Sequence, residues 1–364
     1  MSILKHARMF ILVLAALFVV RQASAAEVVW HDATEFDIEG RGWTDTESPY
    51  DRLPARAKGS VPDSVWGLGK HSAGLCVRFQ TNARAVSVRW ELTGENLAMP
   101  HMPATGVSGV DLYRRAQDGR WLFVQNGRPG QRVGNMMIAN LPAAAGATAC
   151  LLYLPLYNGV RKVEIGVPAD ATLSNAPARP GANARPVVYY GTSIAQGGCA
   201  SRPGMAHVAM LGRMLDRPMI NLGFSGSGRM EPAISKLLAE LDPACFVIDC
   251  LWNIGDMPEP ELTSRITTLV ETIRQARPNT PILFVGRSSI HPEATPAQSE
   301  QIQDRVVKGL RIRGIGGLSL CPGKILLGSD GDGTVDGVHP NDLGMRRQAD
   351  ALAPVLARLL RDTK

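Results

Sequence analysis

The stretch "RPVVYYGTSIAQGGCASRPG", residues 185–204, decides the fold of the second half of this chain. A run of β-forming residues, Val187 to Tyr190, stops at Gly191, and small residues then lead through Ser193 into a helical pattern. A short, wholly apolar strand that leads directly into a helix is typical of a parallel sheet with helices on both faces. The stretch therefore predicts the first strand and helix of an α/β domain, with Ser193 in the turn between them.

The remainder of this half repeats the same pattern. Further apolar runs are separated by amphipathic helical patterns: "MINLGF", "CFVIDCLW", "PILFVG" and, as the weakest signal, "LSLCPGKILLG". Alternating strands and helices predict one parallel sheet covered on both faces. We assign residues 186–364 to this α/β domain.

The first half has a different period. In residues 27–170 apolar and polar side chains alternate, as in "LCVRFQ" and "VSVRWEL", and Gly and Pro turns separate the runs. Alternation with period two and no long helical pattern predicts an antiparallel β-sandwich domain. Residues 171–185, rich in Ala, Pro, Gly and Asn, are predicted to link the two domains.

The first 25 residues have the layout of a secretory signal peptide. Lys5 and Arg8 precede an apolar run from Met9 to Val20, and the small residues Ala23 to Ala25 follow. We expect cleavage near Ala25 and export to the periplasm or the outside, with an uncleaved anchor as the alternative. Cleavage would remove three cations and lower the formal charge from +6 to +3. The remaining charges are scattered, so a nucleic-acid partner has little support, and no later stretch could span a bilayer.

The cysteines and acidic turns give no sign of a metal or organic cofactor. The six cysteines lack paired metal-ligand spacing, and both disulfide pairing and buried thiols stay open. "SDGDGTVDG" begins like a calcium-binding loop at Asp330 and Asp332, but Thr334 and Val335 occupy positions that need a ligand and a glycine. We therefore predict no cofactor and no metal.

Candidate catalytic residues follow the ends of the predicted strands. Ser193 follows the first strand, Gly226 lies in "GFSGSG" after the second, and Asn253 follows the third. Asp336 and His339 lie in "DGVHPND" before the last helix, where Pro340 suits the first helical turn. Ligands of open parallel sheets bind beyond the carboxyl ends of the strands, so these loops are expected to converge.

The residue types match acyl-transfer chemistry. A serine hydroxyl needs an imidazole to take its proton, and a carboxylate behind the imidazole fixes its tautomer. The backbone N–H groups of Ser193 and Gly226 and the amide of Asn253 are candidates for stabilising an oxyanion. Each residue alone also has a structural interpretation: Ser193 as a helix cap and Asn253 as a turn former. His291, after the fourth strand, competes as base but lacks a carboxylate at the same spacing.

On these residues the second half resembles the SGNH hydrolases, the GDSL-like esterases and lipases. Ser193 matches the block I nucleophile, Gly226 and Asn253 match the oxyanion residues of blocks II and III, and Asp336 with His339 match block V. The resemblance implies a flavodoxin-like three-layer fold. Two departures are Thr192, where the family has aspartate, and Trp252 and Ile254 on either side of Asn253.

The first half is similar to the domain that precedes one subgroup of that family. "GVDLY", residues 109–113, matches its G-x-D-L-Y signature, and "RLPARA", "HSAGLCVRF" and "LPLYNGV" also resemble it. We expect a structural role for Asp111 and Tyr113.

The resemblance implies a serine ester hydrolase. A secreted enzyme of this kind with a β-sandwich resembles carbohydrate esterases that remove acetyl groups from polysaccharides. Trp252 and Arg287 lie after predicted strands and are candidate substrate contacts, with core packing and a surface ion pair as the alternatives. One rival function is an acyltransferase with the same triad; another is a carbohydrate-binding protein without turnover. Acyl chain, alcohol and oligomeric state stay open.

Overall fold

The computed structural model describes residues 27–144, 146–291 and 293–361. The predicted signal peptide lies outside them. The strands of the first half are β1 Val28–Asp32, β2 Asp37–Glu39, β3 Cys76–Thr81, β4 Ala85–Leu92, β5 Val110–Arg115, β6 Trp121–Gly127, β7 Asn135–Asn140, β8 Thr148–Tyr153, β9 Val160–Pro168 and β10 Leu173–Asn175. The strands of the second half are β11 Val187–Gly191, β12 Met219–Gly223, β13 Cys245–Asp249, β14 Ile282–Val285 and β15 Leu318–Cys321.

The helices are concentrated in the second half. They are α1 Asp63–Gly69, α2 Ala104–Val107, α3 Ser193–Gln196, α4 His207–Met214, α5 Pro232–Glu240, α6 Leu251–Ile254, α7 Glu259–Ala276, α8 Gln298–Ile312 and α9 Asp342–Arg361. No helix in the described ranges is both long and apolar enough to cross a membrane.

The first half forms the predicted β-sandwich. One antiparallel sheet has the order β1-β9-β4-β7, and the other has β10-β3-β8-β5-β6 with β2 also paired to β3. Inward residues of the alternating strands, such as Val77, Val88 and Ile165, are fully buried in the core between the sheets. The period-two pattern predicted this because successive strand residues face opposite sides.

The second half forms the predicted parallel sheet. The order β12-β11-β13-β14-β15 is that of a flavodoxin-like fold, with β11 and β13 adjacent at the point where the order reverses. Helices α5, α7 and α8 cover one face, and α4 and α9 cover the other. The three-layer fold implied by the family resemblance is therefore confirmed.

Local differences from the sequence predictions are small. Only Leu318–Cys321 of "LSLCPGKILLG" is a strand. Strand β10 lies within the segment predicted as a linker. Pro340 was expected in the first turn of the last helix but lies outside it. Helix α9 begins at Asp342, and the side chain of Asn341 accepts from the Gly344 N–H at 3.1 Å.

The two halves pack against each other through shared cores. Tyr113 and Leu156 of the first half belong to the same buried cluster as residues of α4 and α9. Asp111 of the G-x-D-L-Y stretch is fully buried and accepts hydrogen bonds from Arg202 and from the Gly204 N–H, each at 2.8 Å. These contacts tie the sandwich to the segment that follows the α3 helix.

Candidate active site

The turn after β11 presents Ser193 at the start of α3. Thr192, which replaces the family's aspartate, caps this short helix, since its Oγ1 accepts from the Ile194 N–H at 3.3 Å. A Cβ on Gly191 would lie 2.7 Å from both the Ala195 Cβ and the Asp249 carbonyl oxygen. The tight turn therefore needs glycine before the serine. Ser193 is 8% exposed, so only a small part of its surface is accessible.

Ser193, His339 and Asp336 form one hydrogen-bonded chain. Ser193 Oγ lies 2.9 Å from His339 Nε2, and His339 Nδ1 lies 2.7 Å from Asp336 Oδ2. With the Nδ1 proton on the aspartate side, Nε2 is free to accept the serine proton. The side chains come from loops 146 residues apart in the sequence.

The Asp336 carboxylate is held in its charged form. Partial burial raises its pKa, but hydrogen bonds outweigh this and lower the pKa to about 2. They come from the backbone N–H of His339 at 2.8 Å, from the His339 ring and from the Val338 N–H at 3.0 Å. The aspartate is therefore ionised at every pH at which the protein would be assayed.

Two backbone donors near Ser193 have no acceptor among the described residues. They are the N–H of Ser193, at the N-terminus of α3, and the N–H of Gly226. Gly226 has φ of +66°, a conformation that favours glycine, and a Cβ there would meet no atom within 4 Å. Gly226 thus lies in an open position of its loop.

The Asn253 side chain contacts the loop that carries Gly226, and its amide points to backbone carbonyl oxygens of that loop, whereas the prediction had it facing a substrate oxyanion. Its Nδ2 lies 3.2 Å from the carbonyl oxygens of both Phe224 and Gly228. The amide thereby holds the "GFSGSG" loop closed. Its oxyanion role stays a prediction and requires one of these hydrogen bonds to be exchanged for the substrate oxygen.

The sequence analysis missed Arg52, which lies behind the loops. Its side chain is 1% exposed, and the described residues offer it no carboxylate. The guanidinium donates to the carbonyl oxygens of Leu68, His71, Asn221 and Gly223 at 2.7–3.1 Å. It also lies 5.0 Å from the ring centroid of Phe224. Burial lowers its pKa to about 9, so it remains a cation at neutral pH.

Tyr157 and His71, also from the first half, contact the nucleophile helix. The Tyr157 hydroxyl donates to the Ser193 carbonyl oxygen at 3.1 Å. The side-chain amide nitrogen of Gln196 lies 3.1 Å from His71 Nδ1, and its oxygen accepts from the Ser225 N–H at 3.1 Å. Burial and the nearby Arg52 lower the pKa of His71 to about 4, which keeps this imidazole neutral.

We call Arg52, His71 and Tyr157 the N-terminal supports. All three lie in stretches that resembled the family's first domain: "RLPARA", "HSAGLCVRF" and "LPLYNGV". Those motifs were the available signal. His101 of the first half also borders the site, with its ring centroid 5.8 Å from that of His339.

A pocket of about 470 Å³ lies beside the triad. Its lining includes Gly337, directly after Asp336, and Trp252, directly before Asn253. The Arg287 guanidinium stacks on the Trp252 ring at 3.9 Å from the centroid, and Trp252 Nε1 donates to Ser288 Oγ at 2.9 Å. The predicted alternative of a surface ion pair for Arg287 is wrong, since no carboxylate in the described ranges pairs with it.

A buried carboxyl group lies below the nucleophile turn. Asp249 pairs with Gly191 across β13 and β11, and it accepts a hydrogen bond from the Tyr189 hydroxyl at 2.9 Å. Burial raises the pKa of Asp249 to about 7. Tyr189 packs edge-on against the fully buried His207, whose pKa burial lowers to about 3.

The cysteines and the acidic loop considered for calcium show no catalytic or metal-binding arrangement among the described residues. All six cysteines are buried free thiols. Asp330, from the sequence considered as a calcium loop, pairs with Arg347. In the ranges that the structure describes, no group of three or more His, Cys, Asp or Glu side chains is placed to hold a metal ion.

Comparisons with known proteins identify the family of both halves of the chain. The model of the GDSL-like lipase/acylhydrolase family matches residues 184–357, and that of the N-terminal GxDLY domain of SGNH-type esterases matches residues 28–173. A GDSL-like lipase from Bacteroides ovatus ATCC 8483 is 32% identical, with a TM-score of 0.81 over 92% of this chain and 98% of that one. No curated protein sequence is significantly similar to this chain.

Two more distant structures share the fold. Salicylyl-acyltransferase SsfX3 from a tetracycline biosynthetic pathway is 19% identical, with a TM-score of 0.70 over 93% of this chain and 98% of that one. A family two carbohydrate esterase from Cellvibrio japonicus is 10% identical, with a TM-score of 0.60 over 93% and 100%. Taken with the full-length similarity to the Bacteroides protein, the family models place this chain in the GDSL-like lipase/acylhydrolase family as an SGNH-type ester hydrolase.

Proposed function

We propose that the protein is an exported serine esterase that removes short acyl groups, above all acetyl, from carbohydrate through Ser193, His339 and Asp336. The observation that carries the proposal is the hydrogen-bonded chain from Ser193 Oγ through the His339 ring to the Asp336 carboxylate. Such a chain activates a hydroxyl for attack on an ester carbonyl.

The acylation step follows from the positions of these groups. Ser193 Oγ attacks the ester carbonyl carbon while His339 Nε2 takes the hydroxyl proton, and Asp336 stabilises the imidazolium that results. The carbonyl oxygen becomes an oxyanion, which receives hydrogen bonds from the N–H groups of Ser193 and Gly226 and from Asn253. The C–O bond to the alcohol then breaks, and His339 gives its proton to the departing oxygen.

The second step regenerates the enzyme. A water molecule loses a proton to His339 Nε2 and attacks the acyl-enzyme carbonyl carbon. The bond to Ser193 Oγ breaks, the serine recovers its proton from His339, and the carboxylic acid departs.

A carbohydrate substrate is supported by the character of the site. The pocket beside the triad is bordered by the cationic side chains of Arg287 and Lys324, which suit the polar groups of a sugar better than a long acyl chain. The fold is also that of a family two carbohydrate esterase. Export is supported by the signal-peptide layout of residues 1–25.

The test is release of acetate from acetylated plant polysaccharides and from p-nitrophenyl acetate. Wild type is expected to act on both, and Ser193→Ala to lose both activities. Ser174→Ala, on the exposed strand β10, is the matched control and should behave as wild type. Equal activity of Ser193→Ala and wild type would contradict the triad.

Two further measurements separate the remaining parts of the proposal. Acyl transfer to added sugar alcohols in the absence of acid release would show an acyltransferase in place of a hydrolase. N-terminal sequencing of protein recovered from the medium or periplasm should begin near Ala26, and a chain that retains residues 1–25 would contradict export by cleavage.

A further inference from the structure

The pocket adjoins the triad at its aspartate end. His339 returns its proton to the departing alcohol oxygen, so the alcohol lies towards the imidazole and its aspartate. Gly337, next to Asp336 in the chain, is part of the pocket wall. Because this wall adjoins Asp336, the pocket lies towards the imidazole side of the triad, where the alcohol part of the substrate extends.

Arg287 is held at the pocket with its hydrogen-bond donors free. Its guanidinium stacks on Trp252 at 3.9 Å, and its backbone N–H donates to the Glu300 carboxylate at 3.1 Å. Within the described ranges no oxygen accepts from the guanidinium itself. Gly255 gives it room, because a Cβ there would lie 3.3 Å from Arg287 Nη1.

The pocket wall carries two cations and two carboxylates, which differ in their partners. Glu300 is buried, and its carboxylate accepts from the N–H groups of Arg287 and Gly323 at 3.1 and 3.0 Å. Asp304 lies 4.0 Å from Lys308. Lys324, in contrast, has no carboxylate partner in the part of the chain that the structure describes. The carboxylates thus have partners, while among the described residues the Arg287 guanidinium and the Lys324 ammonium have none.

An unpaired guanidinium fixed on an aromatic ring suits a planar carboxylate, which it binds through two parallel N–H···O bonds. We propose that this pocket binds the carboxylate of a uronic acid residue in the alcohol part of the substrate, with Arg287 as the main ligand and Lys324 as a second cation. The inference rests on the proposed esterase function and specifies its substrate class as acetylated acidic polysaccharide.

The kinetic test compares two acetylated oligosaccharides that differ only in charge. Acetylated oligogalacturonate and its carboxyl methyl ester are the substrates, and acetate is the measured product. Wild type is expected to prefer the acid by about tenfold in kcat/KM, as for a charge-assisted contact. Arg287→Gln should abolish the preference, and Arg287→Lys should retain part of it. Arg120→Gln, which removes an exposed cation paired with Asp118, is the matched control.

Binding supplies a readout without turnover. Isothermal titration of unacetylated oligogalacturonate into Ser193→Ala should show binding that disappears in the Ser193→Ala, Arg287→Gln double variant. Equal kcat/KM for both substrates, together with the same binding in both variants, would overturn the subsite. If p-nitrophenyl acetate is cleaved in that case, the esterase function survives; if wild type cleaves no ester at all, the proposed function fails first.

Discussion

Two regions build the candidate site, and they differ in how the sequence reveals them. The strand-end loops of the second half (residues 191–193, 223–228, 253 and 336–339) supply the groups that would touch substrate. The N-terminal supports Arg52, His71 and Tyr157 lie behind those loops. Arg52 bonds to the Gly223 carbonyl oxygen, Tyr157 bonds to that of Ser193, and His71 contacts the Gln196 side chain. The loops can be recognised from residue type and strand position, whereas the supports lie in motifs of the first half whose contact with the site is seen only in the folded chain.

This difference between the loops and the supports shows which residues hold the catalytic turns in position. Ser193 and Gly226 lie in short turns, and the supports hold these turns through a hydrogen bond to the Ser193 carbonyl oxygen and through Gln196. Catalysis by hydrogen-bonded groups depends on positions fixed within about 0.5 Å. The β-sandwich is therefore part of the active-site framework as well as a neighbouring domain.

The largest expected effect comes from the loops. His339→Ala should lower kcat/KM for p-nitrophenyl acetate by about 10⁴-fold, because the serine loses its base. The melting temperature should stay close to that of wild type, since the ring is only partly buried. His31→Ala, on the far sandwich strand β1, is the control and should keep full activity. A loss of less than tenfold would show that another group acts as base.

Arg52 tests the supports by a change in both stability and rate. Arg52→Met would leave four buried carbonyl oxygens without their donor, at a cost of about 3–5 kcal/mol in the free energy of unfolding. We also expect kcat to fall about 10–100-fold with little change in KM, because the loop that carries Gly226 loses its anchor.

Arg52→Lys keeps this prediction testable if the methionine variant does not fold. Lysine retains the charge and some of the hydrogen bonds, so kcat and the unfolding free energy should lie between those of wild type and Arg52→Met. Urea unfolding and initial rates measure both quantities. Unchanged kcat in a folded Arg52→Lys or Arg52→Met protein would remove Arg52 from the framework.

Tyr157→Phe removes one hydroxyl group of the supports, which bonds to the Ser193 carbonyl oxygen and to the Ser225 side chain. Loss of the donor to the Ser193 carbonyl oxygen should lower kcat about three- to tenfold, whereas a single hydrogen bond contributes only about 1 kcal/mol to stability. Tyr153→Phe is the matched control, because its hydroxyl contacts the Ala209 carbonyl oxygen of α4 at 3.5 Å, away from the nucleophile turn. Equal kcat for the two variants would contradict a positioning role for Tyr157.

The smallest effect on activity, but a clear pH signature, is expected from Asp249→Asn. Burial raises the Asp249 pKa to about 7, so between pH 4 and 7 the folded wild type holds a proton that the unfolded chain has released. Its contribution to stability therefore falls as pH rises through this window, by at most about 1.4 kcal/mol per pH unit.

Asparagine does not titrate, so the unfolding free energy of the variant minus that of wild type should increase from pH 4 to 7 and level off above. His71 and His207 have lowered pKa values and act in the opposite direction, but they cancel in this difference. Urea unfolding at several pH values measures the difference. A pH-independent difference would show that Asp249 ionises normally.

The sequence predicted the fold well because each half has one dominant period. The alternation in "VSVRWEL" and the apolar runs around Val187 identified the sandwich and the parallel sheet, and strand ends indicated where Ser193 and His339 would meet. The capping of α9 was missed, since Asn341 and not Pro340 occupies its start.

The rest of the site could not be predicted, for physical reasons. Arg52 bonds to carbonyl oxygens up to 171 residues away, and any residue type supplies a carbonyl, so no side-chain pattern marks its partners. The amide of Asn253 turns toward Phe224 and Gly228 because the loop closes around it. Such contacts depend on backbone positions that exist only in the folded chain.

Covalent labelling of Ser193 tests the central claim most directly. Wild type is incubated with a fluorophosphonate ester, which reacts with activated serines, and intact mass and peptide mapping are measured. We expect one adduct per chain, located on Ser193, and none in Ser193→Ala or His339→Ala. An adduct on another residue, or equal labelling of Ser193→Ala, would contradict the triad.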